Sequence, residues 1–235
     1  MSKYININFF IAGILFLMIF YLMSPYIEGF TMPKKVSDTQ RDIVKPSLLQ
    51  LNNTYTDKNT THSYFELYDK LLTPIRASAT KVLEVGIGDF GEKNGGSIKL
   101  WKEYFDKATI YGLDILPEDR VLDELKTDDR VILFNEVNAY DPEFVKNEFG
   151  SKNLQFDFLL DDGPHTLESM VDFIKLYTPL MKSKAILIIE DVKSLEWVEK
   201  LKSVVPSHLV PFTTSYDRRK IKGRYDDIVF CINTL

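Results

Sequence analysis

Two kinds of hydrophobic pattern divide this chain. Residues 9–23, FFIAGILFLMIFYLM, are apolar without a break. From Lys81 onward, short β-branched runs alternate with stretches of helical spacing. KVLEVGI (81–87), TIYGLDI (109–115), VILFNEV (131–137), FDFLLDD (156–162) and AILIIED (185–191) read as strands. Helical spacing covers 97–105, with Ile98, Trp101 and Phe105 on one face, and then 117–126, 141–149, 166–182 and 194–205. Near-continuous apolar strands separated by helices predict an α/β protein, Rossmann-like, with a mostly parallel sheet covered on both faces. HLVPFTT (208–214) and DDIVFCI (226–232) have no helix between them, which predicts an antiparallel pair at one edge.

The first apolar run is of another kind. Extended back through Ile5 and Ile7 it reaches about 19 residues, and at about 1.5 Å per residue it spans most of a roughly 30 Å hydrocarbon core. Lys3 is the only charge among the first 26 residues. Tyr4, Tyr21 and Tyr26 sit where interfacial aromatics would. A cleaved signal peptide would end in a small-residue site, which SPYIEG (24–29) lacks. A buried core helix would carry a polar face. The expected organisation is a transmembrane anchor over 1–26, a proline-bearing tether over 27–54 and one domain over 55–235. Lys34, Lys35, Arg41 and Lys45 outweigh Lys3, and the positive-inside rule then puts that domain in the cytoplasm.

Composition narrows the classes. The 235 residues are 27% charged and carry a net charge of -5. That length allows one domain, or two. The acid excess argues against a nucleic-acid partner, which favours basic surfaces. Cys231, the single cysteine, excludes a disulfide framework and a multi-cysteine zinc site.

Ligands of a parallel α/β sheet bind outside the C-terminal strand ends. Those ends carry Glu84, Gly86 and Gly88, then Asp114, Asn138, Asp161 and Asp162, and Glu190 and Asp191. EVGIGDFG (84–91) satisfies G-x-G-x-x-G, which alone would suggest a nicotinamide or flavin enzyme. A pyrophosphate, however, needs a bare helix N-terminus. Asp89 and Glu92 make this loop better suited to a cation, such as the sulfonium and ammonium of S-adenosylmethionine (SAM). Asp114 is placed to accept the two hydroxyls of a nucleoside ribose. Asn138 and Asp161 are further candidates for cofactor contact.

DDGPH (161–165) and IED (189–191) form the most informative pair. If their strands are neighbours, about 4.8 Å apart, the carboxylates converge. Converging carboxylates repel unless a hard divalent cation such as Mg²⁺ takes their oxygens. Asp162, Glu190 and Asp191 are the candidate ligands. His165 stands at the same rim, with an ordinary pKa suited to a general base.

YTDKNTTHSYFELYDKLL, VLEVGIGDFGEKNGGSIKLWKEYF, YGLDI, LLDDGPHT and IIEDV resemble, in that order, the class I SAM-dependent methyltransferases. The likeness is strongest to the metal-dependent sugar O-methyltransferases of the macrocin and mycinamicin type, and it covers about Tyr55 to Asn233. It implies a seven-stranded sheet with a reversed last strand. It implies SAM contacts at Glu84, Gly86, Gly88 and Asp114, Mg²⁺ ligands at Asp162, Glu190 and Asp191, and a base at His165. It also brings the segment from Thr56 to Lys58 near the active site, without individual roles. The implied activity is methyl transfer to a hydroxyl of a sugar or glycoconjugate. The alternatives are a catechol-like small-molecule O-methyltransferase and a Rossmann-type NAD(P)-dependent oxidoreductase. The expected partners are a small-molecule or glycan hydroxyl substrate and, through the N-terminal helix, a membrane. A homo-oligomer is compatible with the chain.

Overall fold

The computed structural model describes residues 45–51, 56–88 and 91–235. The apolar segment 9–23 and most of the expected tether lie outside the described residues. Among the described residues, no helix is long and apolar enough to cross a membrane.

Seven strands form one sheet: β1 (Lys81–Val85), β2 (Thr109–Leu113), β3 (Val131–Phe134), β4 (Phe156–Asp161), β5 (Met181–Ile189), β6 (Thr213–Asp217) and β7 (Ile228–Asn233). Their order is β3-β2-β1-β4-β5-β7-β6. All neighbours pair in parallel except β7, which runs antiparallel to both β5 and β6. The expected reversed strand is therefore β7, inserted between β5 and the edge strand β6. Strand order reverses between β1 and β4, so the crevice for a ligand opens beyond Val85 and Asp161, which are register partners.

Helices cover both faces. They are α1 (Phe65–Leu72), α2 (Gly96–Tyr104), α3 (Asp123–Lys126), α4 (Pro142–Val145), α5 (Leu167–Tyr177), α6 (Leu195–Val204) and α7 (Arg219–Lys222). Side chains alternate along each strand. Phe158, Leu160, Ile186 and Ile188 pack with Tyr68 of α1 and Trp101 of α2. Leu159, Leu187 and Ile189 face the other way, against Phe173, Ile174 and Leu201 of α5 and α6. Each fully buried large side chain contributes about 1.5–3 kcal/mol. Side chains cap the starts of α5 and α6. The Thr166 hydroxyl accepts from Ser169 N at 3.1 Å before α5, and that of Ser194 from Trp197 N at 3.2 Å before α6.

Several boundaries differ from the sequence reading. The helix expected over 117–126 is broken, because Val121 bridges to Asn94 between a 3₁₀ turn and α3. That expected over 141–149 is α4 followed by a π-helical turn, Lys146–Gly150. That expected over 166–182 stops at Tyr177, before a 3₁₀ turn containing Pro179, and β5 begins at Met181. The strand expected over 208–214 is displaced to β6. Its first half is a 3₁₀ turn around Pro211, which has no N–H to give a ladder. Helix α1 was not assigned from the sequence. The last part of the expected tether packs on the domain: Leu48 is fully buried, and its N–H donates to Asp69 Oδ1 at 3.2 Å.

Candidate active site

At the switch point, β1 and β4 end against each other. Asp162 N–H donates to Val85 O at 2.8 Å. Gly86 has φ +82°, and a Cβ on it would lie 1.9 Å from the Asp162 carbonyl oxygen. Only glycine permits that approach. Beside it opens a cavity of about 210 Å³, lined by Gly86, Gly88, Leu113, Asp114, Ile115, Val137, Asn138, Tyr140 and Asp162 among others. Asp114 is held at its wall, accepting from Ile87 N at 2.7 Å and Leu116 N at 2.9 Å. Apolar walls with glycines and the Asp114 carboxylate suit a nucleoside: flat surfaces for a base and an acceptor for hydroxyls. The residues therefore fit the expected cofactor.

Gly86, Gly88, Asp114 and Asn138 all line this cavity. Asp161 sits behind its wall, where Oδ1 accepts from Tyr140 OH at 2.5 Å. Burial pushes the Asp161 carboxyl up to about 7, against the Tyr140 hydrogen bond. Glu84 departs from expectation. Its side chain is fully buried and does not line the cavity. Instead Oε2 accepts from Trp101 Nε1 at 3.0 Å, and Oε1 lies 3.3 Å from Lys58 Nζ.

Lys58 is the centre of a buried charge cluster. Its ammonium donates to Asp162 Oδ2 at 2.6 Å and Glu190 Oε2 at 2.7 Å, with no solvent exposure. Burial alone would lower its pKa, but Asp162, Glu190 and Glu84 outweigh that and raise it well above the ordinary lysine value. Lys58 is a permanent cation here. Burial lifts the carboxyl of Glu84 to about 7 and that of Glu190 well above the usual range, with Lys58 opposing both shifts. Burial also acts to raise Asp162, but Lys58 and His165 prevail and hold it well below the usual range. Tyr68 of α1 donates to Glu190 Oε1 at 2.5 Å. Glu190 was expected beside Asp162 and Asp191 as a ligand, and the structure gives both its oxygens to Lys58 and Tyr68.

At the rim, Asp162, His165 and Asp191 bring one ligand atom each within 4.8 Å of one another. His165 Nε2 lies 3.1 Å from Asp162 Oδ1, and Nδ1 lies 3.4 Å from Asp191 Oδ2. Burial opposes the imidazolium, but the hydrogen bond to Asp162 and the charges of Asp162, Asp191 and Asp161 raise the His165 pKa above its ordinary value. His165 and Asp191 both adopt left-handed backbone, with φ +53° and +54°. Such backbone costs about 1–3 kcal/mol per non-glycine residue and persists where surrounding contacts impose it. The carboxylates of Asp162 and Asp191 are hard oxygen donors that fit a divalent cation, with the His165 imidazole beside them. A second group shares Asp191: His62 Nδ1 lies 2.6 Å from Asp227 Oδ1 and 3.3 Å from Asp191 Oδ1. Tyr64 donates to Asp191 as well.

No protein-family model matches the chain. Over 157 residues, 65% of the chain, it is 31% identical to the mycinamicin VI 2''-O-methyltransferase of Micromonospora griseorubida, covering 38% of that protein. It is 32% identical to the demethylmacrocin O-methyltransferase of Streptomyces fradiae, with 65% of this chain and 38% of the relative matched. Over that stretch the chain is similar to the macrocin- and mycinamicin-type sugar O-methyltransferases. It spans little more than a third of the length of these curated relatives. The fold agrees with that of the MycE methyltransferase of the mycinamycin biosynthetic pathway, solved in complex with Mg and SAH. The TM-score is 0.62 at 22% identity, over 80% of this chain and 55% of MycE. These relatives are of the type that the sequence motifs resemble. They do not by themselves say why Lys58, Tyr64, Tyr68, His62 and Asp227 crowd the same rim, and sequence reasoning gave none of these five a role. Tyr64 and Tyr68 are four residues apart, one helical turn, which is the one spacing signal among them.

Proposed function

We propose that this chain is a SAM- and Mg²⁺-dependent O-methyltransferase acting on a hydroxyl of a sugar or glycoconjugate. The observation that carries this reading is the position of Asp162. It lines the glycine-walled cavity and also belongs to the Asp162–His165–Asp191 group. A nucleoside cofactor and a metal-held hydroxyl would therefore meet at one residue. When bound, SAM supplies an electrophilic methyl group, and Mg²⁺ supplies Lewis acidity to the acceptor hydroxyl.

The chain's own residues do the rest. Gly86, Gly88, Asp114 and Asn138 hold the nucleoside, and Asp161 braces Tyr140 on the cavity wall. Asp162 and Asp191 hold the metal. Glu190 acts one layer behind, fixing Lys58 and Tyr68. His165 takes the hydroxyl proton on one ring nitrogen, while a carboxylate at the other orients its ring. Positioning of this kind lowers the barrier by holding the reacting atoms in line.

The sequence pattern supports a tethered arrangement for this enzyme: an anchor over 1–26, a tether to residue 54 and the methyltransferase domain over 55–235 on the cytoplasmic side. Calorimetric titration of the full chain in neutral detergent, with SAM and with NAD(P)H in separate runs, tests the cofactor. Saturable SAM binding is the expected result, and binding of NAD(P)H alone would overturn the reading.

A further inference from the structure

We infer that the segment joining β6 to β7 is an acceptor-recognition wall, selecting a glycan that carries an anionic group, carboxylate or phosphate, beside its reacting hydroxyl. This rests on the proposed methyltransferase reading and names the acceptor class for that site.

Topology sets the position. β6 runs parallel to β1, β4 and β5, so it ends at the rim that carries the site. β7 starts there beside the end of β5: Ile189 pairs with Phe230, and Val192 N–H donates to Ile228 O at 3.0 Å. The cofactor cavity lies on the β1–β2 side of Asp162. The β6–β7 segment lies beyond β5, on the other side of Asp162 from that cavity, which leaves this side of the rim for an acceptor. It is fastened to the turn that presents Lys58. Lys222 Nζ donates to the Asn59 and Thr60 carbonyls, and Arg218 Nε to Ser63 O at 2.9 Å.

Its chemistry is unlike the rest of the chain. Residues 218–225 read RRKIKGRY, five cations without an acid, in a chain of net charge -5. Three of the cations meet carboxylates: Arg218 with Glu66 at 3.4 Å, Arg219 with Asp217 at 2.6 Å and Arg224 with Asp226 at 3.2 Å. Lys220 and Lys222 form no ion pair with a carboxylate among the described residues. Arg224 Nε is buried without a hydrogen-bond partner. Beside these cations Ile221 is 56% and Tyr225 64% exposed.

A neutral sugar needs no such charge. An anionic one is drawn to it, where Asp57 at the same rim would otherwise repel it. Lysine and arginine offset that repulsion and donate charge-assisted hydrogen bonds to carboxylate or phosphate oxygens. An exposed tyrosine ring offers a flat apolar face for a pyranose, with a polar tip.

The test compares methyl glycosides that differ in one group, methyl glucoside against methyl glucuronide and methyl glucoside 6-phosphate. It uses the full chain in a neutral, sugar-free detergent with labelled SAM and Mg²⁺. Transfer to the anionic acceptors should exceed transfer to the neutral one by about tenfold in kcat/KM at low salt and fall as salt rises. In K220E/Y225A the preference should drop to within about twofold, with SAM affinity unchanged. Equal turnover of neutral and anionic acceptors, or a preference that survives K220E/Y225A, overturns the inference. NMR titration with a glucuronate oligomer reads the loop without turnover. If no sugar is methylated yet the oligomer shifts the 218–225 resonances, the enzyme reading fails and the anion site stands. If neither occurs, both fail. Binding to anionic phospholipid vesicles with no response to the oligomer would identify the loop as a membrane contact and overturn the glycan assignment.

Discussion

The ammonium of Lys58 lies 2.7 Å from Glu190, across 132 residues of sequence, with both side chains shut away from solvent. This pair ties the turn before α1 to the end of β5. Removing one partner of a buried ion pair leaves an uncompensated charge and costs about 3–5 kcal/mol. Lys58→Met should therefore lower the unfolding free energy in urea by about that amount. Adding Glu84→Gln to it should cost less than the two single losses combined, because both act on one cluster. Additive losses would show that Lys58 and Glu84 are not coupled.

His165→Gln keeps the side chain polar and removes the proton acceptor. Loss of a general base costs about 10²–10⁴-fold in rate. We expect kcat to fall by at least about 100-fold while SAM affinity stays unchanged, since His165 does not line the nucleoside cavity. A matching loss of SAM affinity would assign His165 to cofactor binding instead.

Gly86→Ala should abolish SAM binding. The new Cβ would stand 1.9 Å from the Asp162 carbonyl oxygen, at a φ of +82°. The strand ends must separate, and the cavity between them deforms. Thermal unfolding should report a loss of about 1–3 kcal/mol, the range for overpacking. Unchanged SAM titration in this variant would contradict the assignment of the cavity.

At the opposite end of the sheet, Asp157 accepts from Thr80 N at 2.7 Å, Lys81 N at 2.9 Å and Lys182 Nζ at 2.7 Å. Burial acts to raise its pKa, but the Lys182 hydrogen bond and the two backbone N–H groups outweigh it and lower it. A depressed folded-state pKa adds stability above the unfolded value, and that stability is lost as pH falls through the folded value. Asp157→Asn should cost about 1.5–3 kcal/mol at neutral pH, the range for a hydrogen bond to a charged group. The gap from wild type should narrow below about pH 4, the unfolded carboxylate value. A pH-independent gap would mean that the charge is not what stabilises the contact.

Much of the site was legible because the chemistry stands at strand ends. Alternating strand and helix patterns located β1, β2 and β4 closely and the C-terminal part of β5, and a parallel sheet brings their C-terminal ends to one rim. Asp162, His165 and Asp191 could thus be grouped as soon as β4 and β5 were taken as neighbours, which they are. Lys58 could not be found this way. It lies 104 residues before Asp162, on a turn with no periodicity, and only three-dimensional packing sets it among three carboxylates. The same packing explains the two departures, Glu84 and Glu190. Their positions were read correctly, but their carboxylates face the buried lysine. β6 was displaced because Pro211 interrupts a run that otherwise has strand composition.

The central claim is that a SAM cavity and a metal-binding rim converge at Asp162. Transfer of labelled methyl from SAM to a panel of sugars and catechols, before and after EDTA and again with Mg²⁺ restored, tests it most directly. The expected product is a methyl ether on a sugar hydroxyl, lost with EDTA and recovered with Mg²⁺. Transfer that survives EDTA unchanged would contradict the account.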